Sequence, residues 1–333
     1  MRYLNNLLST AFLAAFFNTT GFAAEPVEYV AVLPPVKARA LPVDPQKGYL
    51  VKEVKPDIFV ITDGIYQSAF VTTGKGVILL DAPRSLGRHI QKAVAEVTTE
   101  PIVKIVYSHT HVDHIGGIEF LKNIANLEII AEKNVSDFLK EKQDARRLVP
   151  TKTFVGKHTL EWGTAKIELR HGNYHSDEGD LFIYIPGKKF LMVIDSITPG
   201  YVPFMDLDLT SNAHNYLKVF DQMLKYDFDV LVPGHLTYLA IREDVVTSKE
   251  YVLDVYKTVK RIHDGTDQMK IMSDAAVKYT WDNKYALFRT FLDGIIKSCG
   301  DEVKARWINK LAGVDVWADS HCRAMLIYAR WDD

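Results

Sequence analysis

Three imidazoles and a carboxylate fall within six residues at His109, His111, Asp113 and His114. Neutral imidazole nitrogen and carboxylate oxygen are the donors that suit zinc and similar first-row metals, so this cluster predicts a metal site. The spacing sharpens the expectation. His109 and His111 alternate as on an extended backbone and can point the same way, whereas Asp113 and the adjacent His114 follow on a loop that can face a second position. One turn can therefore serve two metals. A solvated, histidine-rich surface loop is the plain alternative, and four ligands in so short a span argue against it.

One short loop cannot surround two ions, so further ligands must come from elsewhere in the chain. His175 lies in the polar stretch Gly172 to Asp180. Asp195 ends the apolar run Phe190 to Ile194, where a carboxylate is costly unless it is paired or bound to metal. His235 follows Val230-Leu231-Val232-Pro233-Gly234. All three stand where strands are expected to open into loops, the usual location of chemistry in α/β proteins. His171, four positions before His175, competes for the same role. Tyr174 and Tyr201 flank these loops and could donate to a developing oxyanion, although a structural aromatic is the plainer reading of each. His214 and Asp221 fall in an expected helix, and His89, His158, His263 and His321 have no ligand-like surroundings.

The elements that must position these groups follow from residue periodicity. An extended arm is expected over residues 24–48, rich in proline and alanine. Short β-rich runs follow at Val51 to Val54, Ile58 to Thr62, Ala69 to Thr73 and Val77 to Leu80, separated by turn residues. Ser85 to Val97 carries apolar residues at helical spacing. The strand Ile102 to Tyr107 delivers the ligand loop, the flexible pair Gly116-Gly117 follows it, and a short helix leaves it from Gly117 to about Asn123. A strand at Leu127 to Ala131 feeds a polar helix from about Asn134 to Arg146. A second β-rich block covers Thr159 to Trp162, Lys166 to Arg170, Leu181 to Ile185 and Phe190 to Ile194. A helix from about Ser211 to Tyr226 then leads into the strand Val230 to Val232. Two strand blocks, each followed by helices, predict an α/β fold in four layers, αββα, with the sheets inside.

Beyond Tyr238 the pattern is helical. Thr247 and Glu250 have the spacing of a capping box, ahead of an apolar stripe from Tyr251 to Ile262. Leu287 to Ile296 forms a second stripe, and shorter helices are expected at Glu302 to Leu311 and Ser320 to Tyr328. The organisation expected is thus a signal peptide over residues 1–23, the arm over 24–48, a catalytic domain over 49–243 and a C-terminal helical extension over 244–333. The leader reading rests on Arg2, the apolar run Ala11 to Phe17 and the small residues Gly21, Ala23 and Ala24, a run too short to span a bilayer. It implies a periplasmic or secreted protein with no stable membrane insertion once the leader is cut. In an oxidising compartment Cys299 and Cys322 could join two C-terminal helices by a disulfide, and two buried free thiols are the alternative.

A chain of 333 residues with 47% hydrophobic and 25% charged residues can bury a sizeable core. Its net charge of -2 creates no field that would gather a polyanion, which argues against nucleic acid and for a small-molecule substrate.

In order, His109-x-His111-x-Asp113-His114, His175, Asp195 and Gly234-His235 resemble the metal-binding elements of the metallo-β-lactamase-fold hydrolase superfamily, over about Tyr49 to Leu239. Asp81 matches the acidic residue that ends an early strand there and hydrogen-bonds the metal loop. The resemblance implies a dinuclear centre, two zinc ions per chain with iron or manganese as alternatives. His109, His111 and His175 would hold the first ion, Asp113, His114 and His235 the second, and Asp195 would bridge them. Water activated between the ions would then be the nucleophile, with Asp113 orienting it and carrying its proton to the leaving group. The expected activity is hydrolysis of a small ester, lactone, thioester or amide. An aspartate at 195, where the resembled β-lactamases of the commonest zinc class use cysteine, points away from a β-lactamase proper but leaves weak β-lactam cleavage expected. A phosphodiesterase is the runner-up. A flavodiiron-type redox protein should replace one histidine by an acid and carry a flavin domain, and a non-catalytic binding module should lack ligands. Specificity is expected in the loop Lys140 to Lys157, the segment Tyr201 to Leu209 and the C-terminal helices.

Overall fold

The computed structural model describes residues 28–176, 178–236 and 238–333. The leader expected over residues 1–23, and the first residues of the arm, lie outside the described residues. The rest of the arm is fastened at three points. Pro34–Lys37 form one helical turn, α1, with Val36 buried. Arg39 makes a bidentate pair with Asp244 at 2.6 and 2.7 Å, and the Val30 amide donates to Asp315.

The first sheet runs in the order β1 to β7. Strands β1 (Leu50–Lys55), β2 (Ile58–Thr62), β3 (Gln67–Val71) and β4 (Val77–Leu80) are antiparallel, and β5 (Ile102–Val106), β6 (Glu128–Glu132) and β7 (Lys152–Phe154) add on in parallel. Parallel neighbours need crossovers, supplied here by α2 (Gly87–Ala95) before β5, by α3 (Val112–Ile115) with the 3-10 turn Gly116–Phe120 before β6, and by α4 (Lys133–Lys142) before β7. The second sheet has the order β12-β11-β10-β9-β8. It comprises β8 (Lys157–Trp162), β9 (Ala165–His171), β10 (Leu181–Ile185), β11 (Phe190–Met192) and β12 (Val230–Val232), with only β11 and β12 parallel. The single turn α5 (Met205–Leu209) and the helix α6 (Ala213–Met223) fill the β11 to β12 connection. Four helices complete the chain: α7 (Arg242–Asp264), α8 (Gln268–Tyr279), α9 (Lys284–Trp307) and α10 (Val314–Trp331).

Alternation along the strands builds the interior. Ala165, Ile167 and Leu169 of β9 point inward while Lys166 and Glu168 point out, and they meet Ile58, Val60, Ile78 and Val106 of the facing sheet. Outside the first sheet, Leu86, Ile90 and Val135 cover Leu79 and Ile105. Outside the second, Tyr251, Val255, Phe291 and Leu326 cover the face carrying Phe182 and Leu191. The protein therefore has the expected αββα four-layer architecture of the metallo-β-lactamase fold with helices added at its C-terminus.

Among the places where the helices differ from expectation, four have a clear physical reason. Asp244 accepts from the Ile241 amide and starts α7 at Arg242, so Thr247 lies a turn inside, its hydroxyl donating to Glu243, and the capping box at Thr247 and Glu250 does not form. Helix α4 stops at Lys142, where Gln143 takes a left-handed conformation. Helix α9 runs unbroken through Gly300, because the missing side chain admits Asp319 of α10: a Cβ there would lie 1.8 Å from the Asp319 carboxylate. Helix α8 was not foreseen, and none of its residues is buried, so it has no apolar stripe to read. Cys299 of α9 and Cys322 of α10 form a disulfide.

Candidate metal centre

The ends of five strands open on one rim. Leu80 pairs with Val106 and Met192 with Val232, so Asp81, His109, Asp195 and His235 all emerge there, and His171 pairing with Leu181 brings the β9 to β10 loop to the same place. The structure gathers every one of the seven sequence-predicted ligands at this rim. Donor atoms of His109, His111, His175 and Asp195 lie within 4.8 Å of one another, as do those of Asp113, His114 and His235. His171 belongs to neither group. Tyr174 is buried with its hydroxyl on the Ile194 carbonyl, which makes it a structural aromatic. His214 bonds Tyr328, Asp221 pairs with Lys249, and His321 is buried between Tyr251 and the Phe204 carbonyl, all away from the cluster.

Asp195 turns its two oxygens to the two groups. Oδ1 is 3.1 Å from His114 Nε2 and 3.0 Å from His235 Nε2, while Oδ2 is 3.3 Å from His109 Nε2 and 3.9 Å from both His111 Nδ1 and His175 Nδ1. His114 Nε2 and His235 Nε2 are 3.1 Å apart, with Asp113 Oδ2 3.4 Å from the former and 3.9 Å from the latter. Four donors placed tetrahedrally 2.0–2.1 Å from a zinc ion lie about 3.3–3.4 Å from each other, so these edges fit an ion of that size. Buried His109 Nε2, His175 Nδ1 and Asp195 Oδ1 have no hydrogen-bond partner, which is what donors reserved for a cation look like. The residues present fit the metals the fold implies.

The loops hold these donors through buried acids. Asp81, at φ +69°, accepts from the Ser108 amide at 2.7 Å, and the Ser108 hydroxyl bonds His109 Nδ1 at 2.9 Å, leaving Nε2 to face the cluster. Asp180 Oδ2 accepts the amides of Tyr174, His175 and Ser176 at 2.7–3.0 Å and so shapes the loop around His175. His175 Nε2 donates to the Asp208 carbonyl, which turns Nδ1 inward. Gly234, at φ +101°, is required: a Cβ would stand 2.9 Å from Ile194 and 3.1 Å from the His114 ring. Gly117 serves packing rather than flexibility, since a Cβ would lie 2.4 Å from the Pro83 carbonyl.

Charge at the rim is strongly coupled. Burial opposes ionisation of Asp195, yet the imidazoles of His114 and His235 hold it well below the ordinary carboxylate range. Burial likewise opposes charge on His114 and His175, but Asp195 raises the first to about 9, and Asp180 with Asp195 raises the second to about 9. Burial and the neighbouring His109 and His175 push His111 down to about 3.

His111, Asp113 and His235 keep about a third of their side chains exposed, and beside them opens a cavity of about 550 Å³. Its walls come from the arm, the β2 to β3 turn, the segment Thr198 to Leu209 and the start of α10. Of the regions expected to set specificity, the segment and the C-terminal helices contribute, whereas the loop Lys140 to Lys157 does not line it. That loop instead backs the centre, with Arg147 donating to the Thr110 carbonyl at 2.6 Å. Sequence reading missed Tyr66, Asp180, Asp208 and Trp317. Tyr66 lies beside His235 with ring centroids 5.1 Å apart, and no signal marked it. Asp180 carried one, since an aspartate closing a Gly-Asp turn is suited to gather loop amides.

Residues 61–235 match the model of the metallo-beta-lactamase superfamily, and the chain belongs to that family. It is 26% identical over 197 residues to the 2,4-dinitroanisole O-demethylase subunit alpha of Nocardioides sp. (strain JS1661), a match covering 57% of this chain and 58% of that one. The chain thus spans somewhat over half the length of this relative. Among solved structures it is similar to a metallo-beta-lactamase from Pontibacter korlensis, with TM-score 0.53 and 16% identity over 61% of this chain and 97% of that one. It is also similar to TMB-1, with TM-score 0.51 and 17% identity over 61% and 96%. At such identities the two structures establish the shared fold.

Proposed function

We propose that this protein is a metal-dependent hydrolase of a small ester, lactone, thioester or amide, in which His109, His111, His175, Asp113, His114, His235 and Asp195 would together hold two zinc ions. The observation that carries the reading is the Asp195 carboxylate, whose two oxygens each face one imidazole group at ligand-like spacing. When bound, two such ions supply Lewis-acid polarisation of the scissile carbonyl and a water acidified toward neutral pH. The chain supplies the rest. Asp81 through Ser108, Asp180, and the Asp208 carbonyl fix the ring orientations. Asp113, open to the cavity, is placed to orient the attacking water and pass its proton to the leaving group.

The relative's name favours a second reading, cleavage of an aryl methyl ether, in which the same centre acts on an activated ring. β-Lactam cleavage is a weaker side activity. Export to the periplasm or medium belongs to the same proposal, supported by the leader-like residues 1–23 and by the Cys299–Cys322 disulfide, which persists in oxidising compartments.

Metal analysis after zinc supplementation should give close to two equivalents per chain, and none would overturn the reading. Asp113→Asn should cut kcat on an activated ester by about 10²–10⁴-fold with the circular dichroism spectrum kept. Full activity in that variant would remove Asp113 from the mechanism.

A further inference from the structure

We propose that the cavity beside the metal cluster is built for a substrate whose body is neutral and apolar, an alkyl or aryl group seated against Trp317 and Phe204. The inference rests on the hydrolase reading and names the substrate class of that same site.

Away from the metal-facing side, the walls carry Ile65, Val202, Phe204, Leu209, Val316 and Trp317. Trp317 and Phe204 meet edge to face with centroids 4.9 Å apart, an aromatic corner suited to a ring or chain. Ile65, Phe204 and Leu209 are each about half exposed, at 59%, 50% and 49%. Scattered exposed apolar residues need no explanation, but three of them around one cavity that ends in a polar cluster mark a binding surface. The volume of about 550 Å³ is that of a small-molecule site.

Charge decides the class. Among the described residues lining the cavity there is no lysine or arginine. The one carboxylate there outside the proposed ligands is Asp208, buried and already accepting from the Phe204 amide and the Tyr216 hydroxyl. An ionised group on the far end of a substrate would lose its water and find no partner, whereas an uncharged one would exchange water for apolar contact. Tyr201, whose hydroxyl pairs with that of Tyr238 at 3.3 Å, is a neutral polar group of the lining together with Tyr66 and Thr198, and can orient a neutral oxygen. The start of α10 and the arm lie beyond residues 61–235, so this wall belongs to the chain's own additions to the family fold.

The test uses two esters with the same scissile bond, leaving group and chain length: 4-nitrophenyl hexanoate and mono-4-nitrophenyl adipate, which differ by a distal carboxylate. With zinc-loaded protein the neutral ester should lead by at least about tenfold in kcat/KM. Val316→Arg should narrow or reverse that ratio, and Trp317→Ala should raise KM for the neutral ester more than it changes kcat, with Trp317→Phe restoring most of it. Equal or reversed kcat/KM in the unaltered protein would overturn the inference. If neither ester turns over, the hydrolase reading fails by itself. The two esters, then inert, are titrated by calorimetry, where tighter binding of the neutral one upholds the neutral cavity and equal binding overturns it.

Discussion

His175 donates its Nε2 hydrogen to the main-chain carbonyl of Asp208, and Asp208 belongs to a left-handed turn. Asp206, Leu207, Asp208 and Leu209 have φ of +51°, +62°, +57° and +60°, four successive non-glycine residues in a conformation that costs roughly 1–2 kcal/mol each. Surroundings must hold such a turn, and they do. The Asp208 side chain accepts from Phe204 N and Tyr216 Oη, Asp206 pairs with Arg323, and the Asp206 amide donates to Ser320. Strain of this kind collects at functional sites, where a fixed carbonyl is needed at a fixed place. Here α10 holds the turn and the turn holds His175.

Asp208→Ala removes the side chain that closes the turn while leaving every proposed ligand in place. Zinc affinity should fall about 10–100-fold, the range for loss of a group that orients a ligand. Competition with a chromophoric chelator measures it. Asp208→Asn, whose Oδ1 can still accept from the Phe204 amide while its Nδ2 donates to the Tyr216 hydroxyl oxygen, should lose much less, and equal losses in the two variants would separate the turn from metal binding.

Metal uptake should be strongly pH-dependent. In the metal-free protein His114 and His175 both titrate near 9, against the opposing effect of burial, because Asp195 and Asp180 favour their charged forms. At pH 7 both therefore carry protons that an entering ion must displace, while His111, held down to about 3, releases none. Affinity should rise as pH increases from 7 to about 9 and level off above it. Calorimetry in buffers of different ionisation enthalpy should count close to two more protons released at pH 7 than at pH 10. A count near zero at pH 7 would contradict this electrostatic picture.

The Cys299–Cys322 bond closes a loop of 23 residues between α9 and α10. Loop-closure entropy gives such a link about 3 kcal/mol of stabilisation. Cys299→Ala with Cys322→Ala should lower the unfolding free energy by that order in denaturant titrations, and a reductant should destabilise the unaltered protein but not the double variant. Because α10 also holds the turn that holds His175, the double variant should lose zinc at lower denaturant concentration than it loses secondary structure.

How much of this could be read from residue order depends on whether the cause is local. His109, His111, Asp113 and His114 were legible because they crowd into six residues, and Asp195 and His235 because each follows a strand marked by an apolar run, Phe190 to Ile194 and Val230 to Val232. The two sheets were legible for the same reason, as period-two alternation in β9 shows. What escaped depends on contacts distant in sequence. Gly300 reads as a helix breaker until Asp319 is seen to occupy its missing side chain. Asp208 reads as an ordinary loop acid, since nothing local announces four left-handed residues. Trp317 and Ile65 line one cavity from positions about 250 residues apart, and only the packed chain brings them together.

Acid should destabilise the fold through His321. Its ring is fully buried between α7 and the left-handed turn, with Nε2 donating to the Phe204 carbonyl at 2.9 Å and Nδ1 accepting from the Tyr251 hydroxyl at 2.7 Å. Burial lowers it to about 4, so the folded protein keeps it neutral where the unfolded chain, near 6.5, takes up a proton. The sign follows from that order. Stability from this group is intact above pH 6.5, declines as pH falls toward 4, and changes no further below it; the whole loss is on the order of 3 kcal/mol. His321→Gln does not titrate and should flatten the stability profile between pH 6.5 and 4 while lowering stability at pH 7 through poorer packing. Denaturant titrations of both proteins across that range measure the difference. Parallel profiles would show that the acid sensitivity lies elsewhere, with the carboxylates of the metal rim as the next groups to replace.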